Sequence, residues 1–381
     1  MLPHITTHHL LKLASGDDLS LQIYRFMGQS PGPKAYIQAN LHGAEIVGNA
    51  VIYRLIEELT ALNSDQLVGE IWLVPVCNPL ATNQRSHFFS TGRFNSYDGI
   101  NWNRIFWDYE KECTALDDFA RSQISLTTTE IRQNFLARQK AAFSQQLERI
   151  NNPASVPFRE QYRYQLQSLC LDAHYVIDIH SSTNFGIDYL YCFNSREISG
   201  QYFGLDYGIL MTEYDGDAFD EAFMKPWLAL ERSLAQLNYP VIFPVESYTL
   251  ELGAGMQMNS RSVAKGVKGI KNYLVYQQML KLPDYELQST PTQYVQRSQI
   301  KSYYAPTGGM IQGRLPLHQR VNPGDRLYEI LEFNKQGDIP RVRAIQAEEA
   351  GFIFNLGINE AVNQGEYVLE LLTDRPSLTL P

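Results

Sequence analysis

The sequence has 381 residues, of which 44% are hydrophobic and 19% are charged, and its formal net charge is −9. This composition is typical of a folded globular protein rather than a disordered chain, and the length favours one large domain plus a smaller one. The negative charge argues against a broad nucleic-acid or anionic-membrane surface, because such partners require a basic face.

No targeting or membrane segment is recognisable in the sequence. The N-terminus lacks a basic stretch followed by an apolar core, and no run of about 18 apolar residues occurs. We therefore predict a cytoplasmic protein without a membrane partner. The sequence is compatible with a homo-oligomer. The cysteines are widely spaced and form no CxxC pair, so we interpret them as reduced packing residues: Cys77, Cys113, Cys170 and Cys192.

Short apolar runs alternate with stretches of helical spacing. The predicted strands are, in chain order, 21–26, 35–41, 70–76, 175–179, 189–193 and 248–251. The predicted helices are 44–62 and 260–282, the second with Asn259 as N-cap. This alternation predicts an α/β fold with a mostly parallel or mixed central sheet flanked by helices.

Two segments break this alternation. Residues 107–172 are polar and mostly helical in pattern, which indicates an insertion into a first domain of residues 1–290. Beyond residue 290, short β runs alternate with Gly, Pro and Asn turns, as in EEAGFIFNLG and NQGEYVLELL. We therefore predict a small all-β domain over residues 291–381.

The strongest local signal is an apolar strand that ends at His42, turns at Gly43 and enters a helix containing Glu45. At the C-terminal edge of a parallel sheet, both side chains can bind one cation, and an imidazole with a carboxylate suits Zn²⁺. Taken alone, the pair fits a surface turn with a helix-start glutamate at least as well.

A second strand, HYVIDIHSSTN, ends at His180. In a parallel sheet its end lies at the same edge, and three protein ligands with one open position are typical of a catalytic zinc site. Asp178, two residues earlier on the same strand face, can orient the imidazole of His180. A buried salt bridge or a capping role is the alternative for Asp178.

Arginines and a glutamate complete the candidate site. Arg85, Arg93 and Arg104 lie in a loop rich in Gly, Asn and Ser, where they either bind an anionic substrate or an oxyanion, or are simply solvated. Glu251 ends a predicted strand before two glycines and is a general-base candidate, with Glu213 and Glu246 as rivals.

Taken in order, these motifs resemble the succinylglutamate desuccinylase/aspartoacylase family, which belongs to the wider zinc carboxypeptidase fold group. HGAE resembles the family's HGxE, DIHSS its D-x-H strand, RFNSYDGINWNR its RFNP…DG…DLNR, and TLELG its E-[VL]-G segment. Residues 303–372 resemble the barrel-sandwich β domain of the family's bacterial deacylases. The resemblance implies a zinc carboxypeptidase-like hydrolase domain followed by that β domain.

The resemblance also implies a role for each matching residue. It assigns one zinc ion per chain, held by His42, Glu45 and His180, and makes Arg93 the arginine that polarises the carbonyl group. It also assigns Asn103 and Arg104 to the substrate carboxylate, and Glu251 to the base that activates water. The implied activity is deacylation of a small N-acyl amino acid or related amide. A zinc carboxypeptidase acting on peptides is the first alternative, and a non-catalytic metal- or ligand-binding module is the second.

The sequence departs from the family pattern in two places. The stretch NYPVIFPVESYTLELG lacks the arginine that aspartoacylases carry before the catalytic glutamate, which argues against aspartate as the amine product. The Asp of DLNR is replaced by Asn101, followed by Trp102, so a charge is lost and an aromatic wall is gained. We also expect the helical insertion to cover the cleft.

Overall fold

The computed structural model describes residues 1–86, 90–113, 115–150, 156–214 and 216–375. The strands within these ranges are β1 (His4–Lys12), β2 (Asp18–Met27), β3 (Ser30–Ala39), β4 (Val68–Val74), β5 (Tyr175–Ser182), β6 (Phe185–Gly186), β7 (Tyr189–Phe193), β8 (Tyr207–Met211), β9 (Glu246–Ala254), β10 (Gln293–Gln296), β11 (Ile300–Tyr304), β12 (Gly309–Gln312), β13 (Arg320–Val321), β14 (Arg326–Glu332), β15 (Arg341–Gln346), β16 (Gly351–Leu356), β17 (Ala361–Val362) and β18 (Tyr367–Thr373).

The α-helices of the same ranges are α1 (Val47–Ala61), α2 (Pro79–Asn83), α3 (Tyr109–Glu112), α4 (Leu116–Gln123), α5 (Thr128–Ile150), α6 (Phe158–Ser168), α7 (Glu197–Gly200), α8 (Phe219–Gln236) and α9 (Ser260–Tyr276). Short 3₁₀ turns occur at Ser64–Gln66, Trp102–Arg104, Gln201–Phe203 and Arg297–Gln299. Among the helices in this part of the chain, none combines the length and the apolar character that crossing a bilayer requires.

Nine strands form a mixed central sheet with the order β1-β2-β4-β3-β5-β9-β7-β8-β10. The central strands β3, β5 and β9 are neighbours and run parallel, so their C-terminal ends lie at one edge of the sheet. The pairs β1/β2, β2/β4 and β7/β9 are antiparallel. The predicted α/β class with a mostly parallel or mixed sheet is confirmed.

Helices cover both faces of the central sheet because its strands alternate side chains between the two faces. On one face, Ile37 and Ile177 pack in a core with residues of α1 and α9. On the other, Tyr36 and Val176 pack in a core with residues of α5, α6 and α8. Burial on both faces explains why β3 and β5 read as nearly continuous apolar runs.

Residues 107–172 contain the helices α3 to α6, but the described part of this segment does not form the predicted roof over the cleft. Its helices α5 and α6 belong to the core on the second face of the sheet, where Phe135 of α5 contacts Trp227 of α8 with a ring-centroid distance of 5.0 Å. None of the described residues of α3 to α6 lines the cavity above the candidate site. The apolar faces of these helices therefore draw the insertion against the sheet.

The C-terminal strands form two antiparallel sheets, with the orders β11-β18-β16-β13 and β15-β14-β12-β17. They share a core that includes Leu327, Ile330, Ile353 and Leu371. Two elements connect this part with the central sheet: β10 pairs with β8, and β6, just after β5, pairs with β16.

The division at residue 290 stays a proposal, since β10 extends the central sheet beyond it. None of the four cysteines, all within the described residues, forms a disulfide, as predicted.

Candidate active site

The loop between β3 and α1 brings two of the candidate ligands together. Asn40 adopts a left-handed φ of 69°, and its side-chain amide donates to the carbonyl oxygens of His42 (3.0 Å) and Gly43 (3.1 Å). This tight loop delays the start of α1 to Val47. The prediction that Glu45 lies within the helix is therefore wrong, because Glu45 is held in the loop that precedes it.

Gly43 has a steric role in the same loop. A Cβ atom at this position would lie 2.0 Å from the carbonyl oxygen of Ala81, so a larger residue would displace the loop from α2. The glycine of the HGAE motif is thus explained by the close approach of two backbone segments.

His42, Glu45 and His180 form one buried cluster. Nδ1 of His42 lies 2.9 Å from Oε1 of Glu45, and Nδ1 of His180 lies 2.8 Å from Oε2 of the same carboxylate. Their side chains are 2%, 1% and 3% exposed, respectively. The potential ligand atoms of the three residues lie within 4.8 Å of one another, close enough to hold a single metal ion.

The outer nitrogen of each imidazole faces a hydrogen-bond acceptor. Nε2 of His180 lies 2.9 Å from Oδ2 of Asp178. Nε2 of His42 lies 3.0 Å from Oδ1 of Asn101. This amide oxygen also accepts a hydrogen bond from the backbone N–H of Asn103 at 2.9 Å, which fixes the orientation of the amide. Both Nε2 atoms are therefore the donors.

The protonation pattern tests whether the cluster fits a metal ion. With Nε2–H on each ring, the lone pairs of both Nδ1 atoms point at the carboxylate of Glu45. Two lone pairs and a carboxylate repel one another in a buried space unless a cation or an additional proton lies between them. Two imidazole nitrogens with a carboxylate oxygen form a donor set that Zn²⁺ accepts. The residues therefore fit the metal that the sequence predicted.

The electrostatics of the metal-free cluster agree with a need for positive charge. Burial alone would raise the pKa of Glu45, but the imidazoles of His42 and His180 lower it below its usual value. Burial lowers the pKa of His42. Burial also opposes protonation of His180, yet Asp178 and Glu45 raise the pKa of this imidazole well above its usual value.

Glu251 stands beside this cluster at the same sheet edge. It lies on β9 directly opposite His180 in the parallel register of β5 and β9. Its Oε2 atom is buried and makes no hydrogen bond within the described part of the chain. Burial raises the pKa of Glu251 to about 7, although the charge of His180 opposes the shift. A carboxylate with such a pKa is suited to exchange a proton near neutral pH.

The two rival glutamates occupy different positions. Glu246 lies at the start of β9, at the opposite edge of the sheet, where its carboxylate accepts a hydrogen bond from the hydroxyl of Tyr273 at 2.7 Å. Glu213 is exposed and lines the same cavity as Glu251. Only Glu251 of the three combines a buried carboxylate oxygen with a position next to the His–Glu–His cluster.

Of the three loop arginines, Arg93 lies nearest to the cluster. Its Nη1 atom is 3.5 Å from Oε1 of Glu45 and 3.3 Å from Oγ1 of Thr183, and its side chain is 37% exposed. Arg85 instead donates to the backbone carbonyl oxygens of Thr82 and Gln84 and does not line the cavity. The guanidinium of Arg93 can therefore reach both the cluster and a ligand in the cavity.

Asn103 and Arg104 lie on the turn that follows Asn101. The side-chain oxygen of Asn103 accepts a hydrogen bond from the backbone N–H of Phe219 at 2.8 Å, so its NH₂ group stays as the donor. Arg104 is exposed, and its Nη1 donates to the backbone carbonyl oxygen of Asn103. Both residues line the cavity. Together they offer amide and guanidinium donors that suit a carboxylate.

The cavity above the cluster has a volume of about 640 Å³. A second cavity of about 510 Å³ adjoins it, because the two have lining residues in common. The two share Arg93, Tyr191, Glu251 and Arg297. The first is lined mainly by the central α/β fold, and the second by C-terminal residues that include Tyr367. Space therefore extends from Glu251 in two directions.

Sequence reasoning missed three features of this site. Thr183 contacts both Glu45 and Arg93, and Arg297 enters the cavity from the turn after β10. Asn101 was interpreted only as a lost charge, whereas the structure places it on a candidate ligand. Its position in the INWNR motif was a usable signal, but Arg297 follows no motif and needed the fold.

Comparisons with known proteins agree with this geometry. The family model "Succinylglutamate desuccinylase/Aspartoacylase catalytic domain" matches residues 31–277. A crystal structure described as a succinylglutamate desuccinylase/aspartoacylase from Shewanella frigidimarina NCIMB 400 is 27% identical, with a TM-score of 0.87 over 98% of each chain. A family protein from Shewanella amazonensis SB2B is 29% identical, with a TM-score of 0.85 over 97% of this chain and 99% of that one.

A more distant structure shares the fold. The ectoine utilization protein EutE (DoeB) from Ruegeria pomeroyi, in a product-bound structure, is 16% identical, with a TM-score of 0.66 over 97% of this chain and 94% of that one. No curated protein gives a significant sequence match.

Proposed function

Because the chain belongs to the succinylglutamate desuccinylase/aspartoacylase family, we propose that it is a zinc-dependent amidohydrolase acting on an N-acyl amino acid or a related amide. One observation carries the proposal: His42 and His180 of the buried His–Glu–His cluster line the same cavity as Glu251. A metal-binding module without catalytic activity has no need of a general base at this position.

His42, Glu45 and His180 would hold one Zn²⁺ per chain. When bound, such an ion polarises a carbonyl group and makes water a stronger nucleophile at neutral pH. Asp178 and Asn101 keep the two imidazoles in the tautomer that presents Nδ1 to the ion. The three ligands leave a coordination position for water or substrate, which is typical of catalytic zinc sites.

The remaining residues of the site divide the chemistry among them. Glu251 accepts a proton from the attacking water and later donates it to the leaving amine. Arg93 donates to the carbonyl oxygen as that atom gains negative charge. Asn103 and Arg104 bind the carboxylate of a small-molecule substrate and so place its amide bond beside Glu251.

A substrate panel tests this proposal. Zinc-loaded protein is incubated with N-acyl amino acids that differ in acyl group and amine, and in parallel with short peptides, and the released amine is quantified. Deacylation of N-acyl amino acids that is lost in Glu251→Gln supports the proposal. Hydrolysis of the peptides alone would favour a zinc carboxypeptidase, and zinc binding without turnover of either class would favour a binding module.

A further inference from the structure

The side chain of Asn101 connects two parts of the proposed site. Its Oδ1 atom accepts one hydrogen bond from Nε2 of His42 at 3.0 Å and another from the backbone N–H of Asn103 at 2.9 Å. The first contact reaches a buried imidazole, and the second closes the 3₁₀ turn Trp102–Arg104. One oxygen atom therefore links a candidate metal ligand to the turn that carries Asn103 and Arg104.

The two candidate ligand histidines have unequal partners. His180 donates to Asp178, a fully buried carboxylate whose other oxygen accepts from Nε2 of Gln38 at 3.0 Å. His42 donates to the neutral amide of Asn101. With Glu45, the buried ligand cluster thus contains two carboxylates, whose charge a divalent cation balances.

The turn that holds Asn101 is itself fixed from behind. Trp102 is 1% exposed, and its ring contacts that of Tyr162 on α6 with a centroid distance of 5.4 Å and that of Phe158 with a distance of 6.4 Å. Packing of this kind restricts the movement of the turn. The amide oxygen is therefore held in place for His42 before any ion binds.

We propose that Asn101 is a positioning residue that fixes the tautomer and the ring orientation of His42 for metal binding. It does so as a neutral acceptor, and it holds the carboxylate-binding turn through the same oxygen. The inference rests on the proposed metal site, because the orientation of His42 has a function only if Nδ1 binds an ion. Loss of a hydrogen-bond partner behind a metal ligand typically weakens metal binding by about 10- to 100-fold.

Zinc affinity provides a test that does not depend on turnover. The apparent dissociation constant is measured by competition with a chelating dye for the full-length wild type and for Asn101→Ala and Asn101→Asp. The alanine variant should bind zinc about 10- to 100-fold more weakly. The aspartate variant should bind at least as tightly as the wild type, because its carboxylate still accepts from both donors.

Asn95 offers a matched control in the same loop. It is buried, whereas Asn101 is half-buried, and its Oδ1 accepts from the backbone N–H two residues later, in Tyr97, at 3.2 Å, but no hydrogen bond links it to the cluster within the described residues. Asn95→Ala should therefore leave zinc affinity unchanged. Thermal unfolding of the metal-free proteins checks that both variants stay folded; Asn101→Ala should lose at least as much stability as Asn95→Ala, since it removes the contacts with both Asn103 and His42.

Three results would overturn the role of Asn101: wild-type zinc affinity in Asn101→Ala, equal weakening by alanine and aspartate, or equal weakening by Asn95→Ala. The second would mean that the acceptor oxygen is not what matters, and the third that any loosening of the loop suffices. Failure of the wild type to bind zinc would instead contradict the proposed metal centre itself.

Discussion

Replacing Glu251 with glutamine separates its proposed chemistry from a structural role. Glutamine has nearly the same shape but cannot accept a proton from water, and positioned general bases typically contribute about 10²- to 10⁴-fold to the rate. We expect kcat to fall by about that factor while zinc stays bound. Stability should not decrease, because burial already disfavours the charged carboxylate at this position.

Glu246 is the control within the same strand. Five residue steps along the β-strand separate it from Glu251, or about 17 Å at about 3.3 Å per step. Its carboxylate accepts hydrogen bonds from Tyr273 and Ser199 at 2.7 Å and from Gln277 at 2.9 Å. Hydrogen bonds to charged groups contribute about 1.5–3 kcal/mol each. Glu246→Gln should therefore lower the free energy of unfolding by at least the contribution of one such bond, and kcat should stay nearly unchanged.

The assays are steady-state amide hydrolysis on any accepted substrate, metal analysis, and unfolding by denaturant. The expected pattern is a kinetic defect in Glu251→Gln and a stability defect in Glu246→Gln. The reverse pattern would refute the choice of base. Loss of zinc from Glu251→Gln would refute the division between metal ligands and base.

Three further outcomes are expected. Chelation should remove one zinc per chain and abolish activity without unfolding the protein, since its cores do not depend on the metal, and metal analysis of His42→Ala and His180→Ala should show depletion. In steady-state kinetics, Arg93→Ala should mainly lower kcat, by about 10²- to 10³-fold, whereas Arg104→Lys should mainly raise KM; unchanged parameters in both would identify solvated loop residues. Trp102→Ala should reduce stability by about 3–5 kcal/mol in denaturant unfolding, and a change under 1 kcal/mol would contradict its role in the core.

The part of the fold that follows from local pattern could be predicted from the sequence. The apolar runs at β3, β5 and β9 mark buried parallel strands, and the common edge of such strands places His180 opposite Glu251. The N-cap at Asn259 was also predictable, because its side chain accepts from the backbone N–H groups of the first turn of α9. The end of α9 at Tyr276 was not, since it depends on the left-handed φ of 57° at Gln278.

Elements defined by distant pairing were missed. The strand β10 reads QYVQ and has little apolar pattern of its own, yet it pairs with β8 at the edge of the sheet. Helix α8 was also missed, although Phe219 at its start donates to the side chain of Asn103. For β10, pairing with a distant strand rather than local preference stabilises the element.

The same distinction applies within the site and explains how the insertion affects it. Local spacing suggested His42 and Glu45, but the partner of His42 lies 59 residues away on the turn of Asn101. The position of that turn depends on Trp102, and Trp102 packs against Tyr162 of the insertion helix α6. A helical segment that does not line the cavity therefore supports a candidate metal ligand from behind. For this reason, substitutions of Tyr162 should change the orientation of His42 more than they change the shape of the cavity.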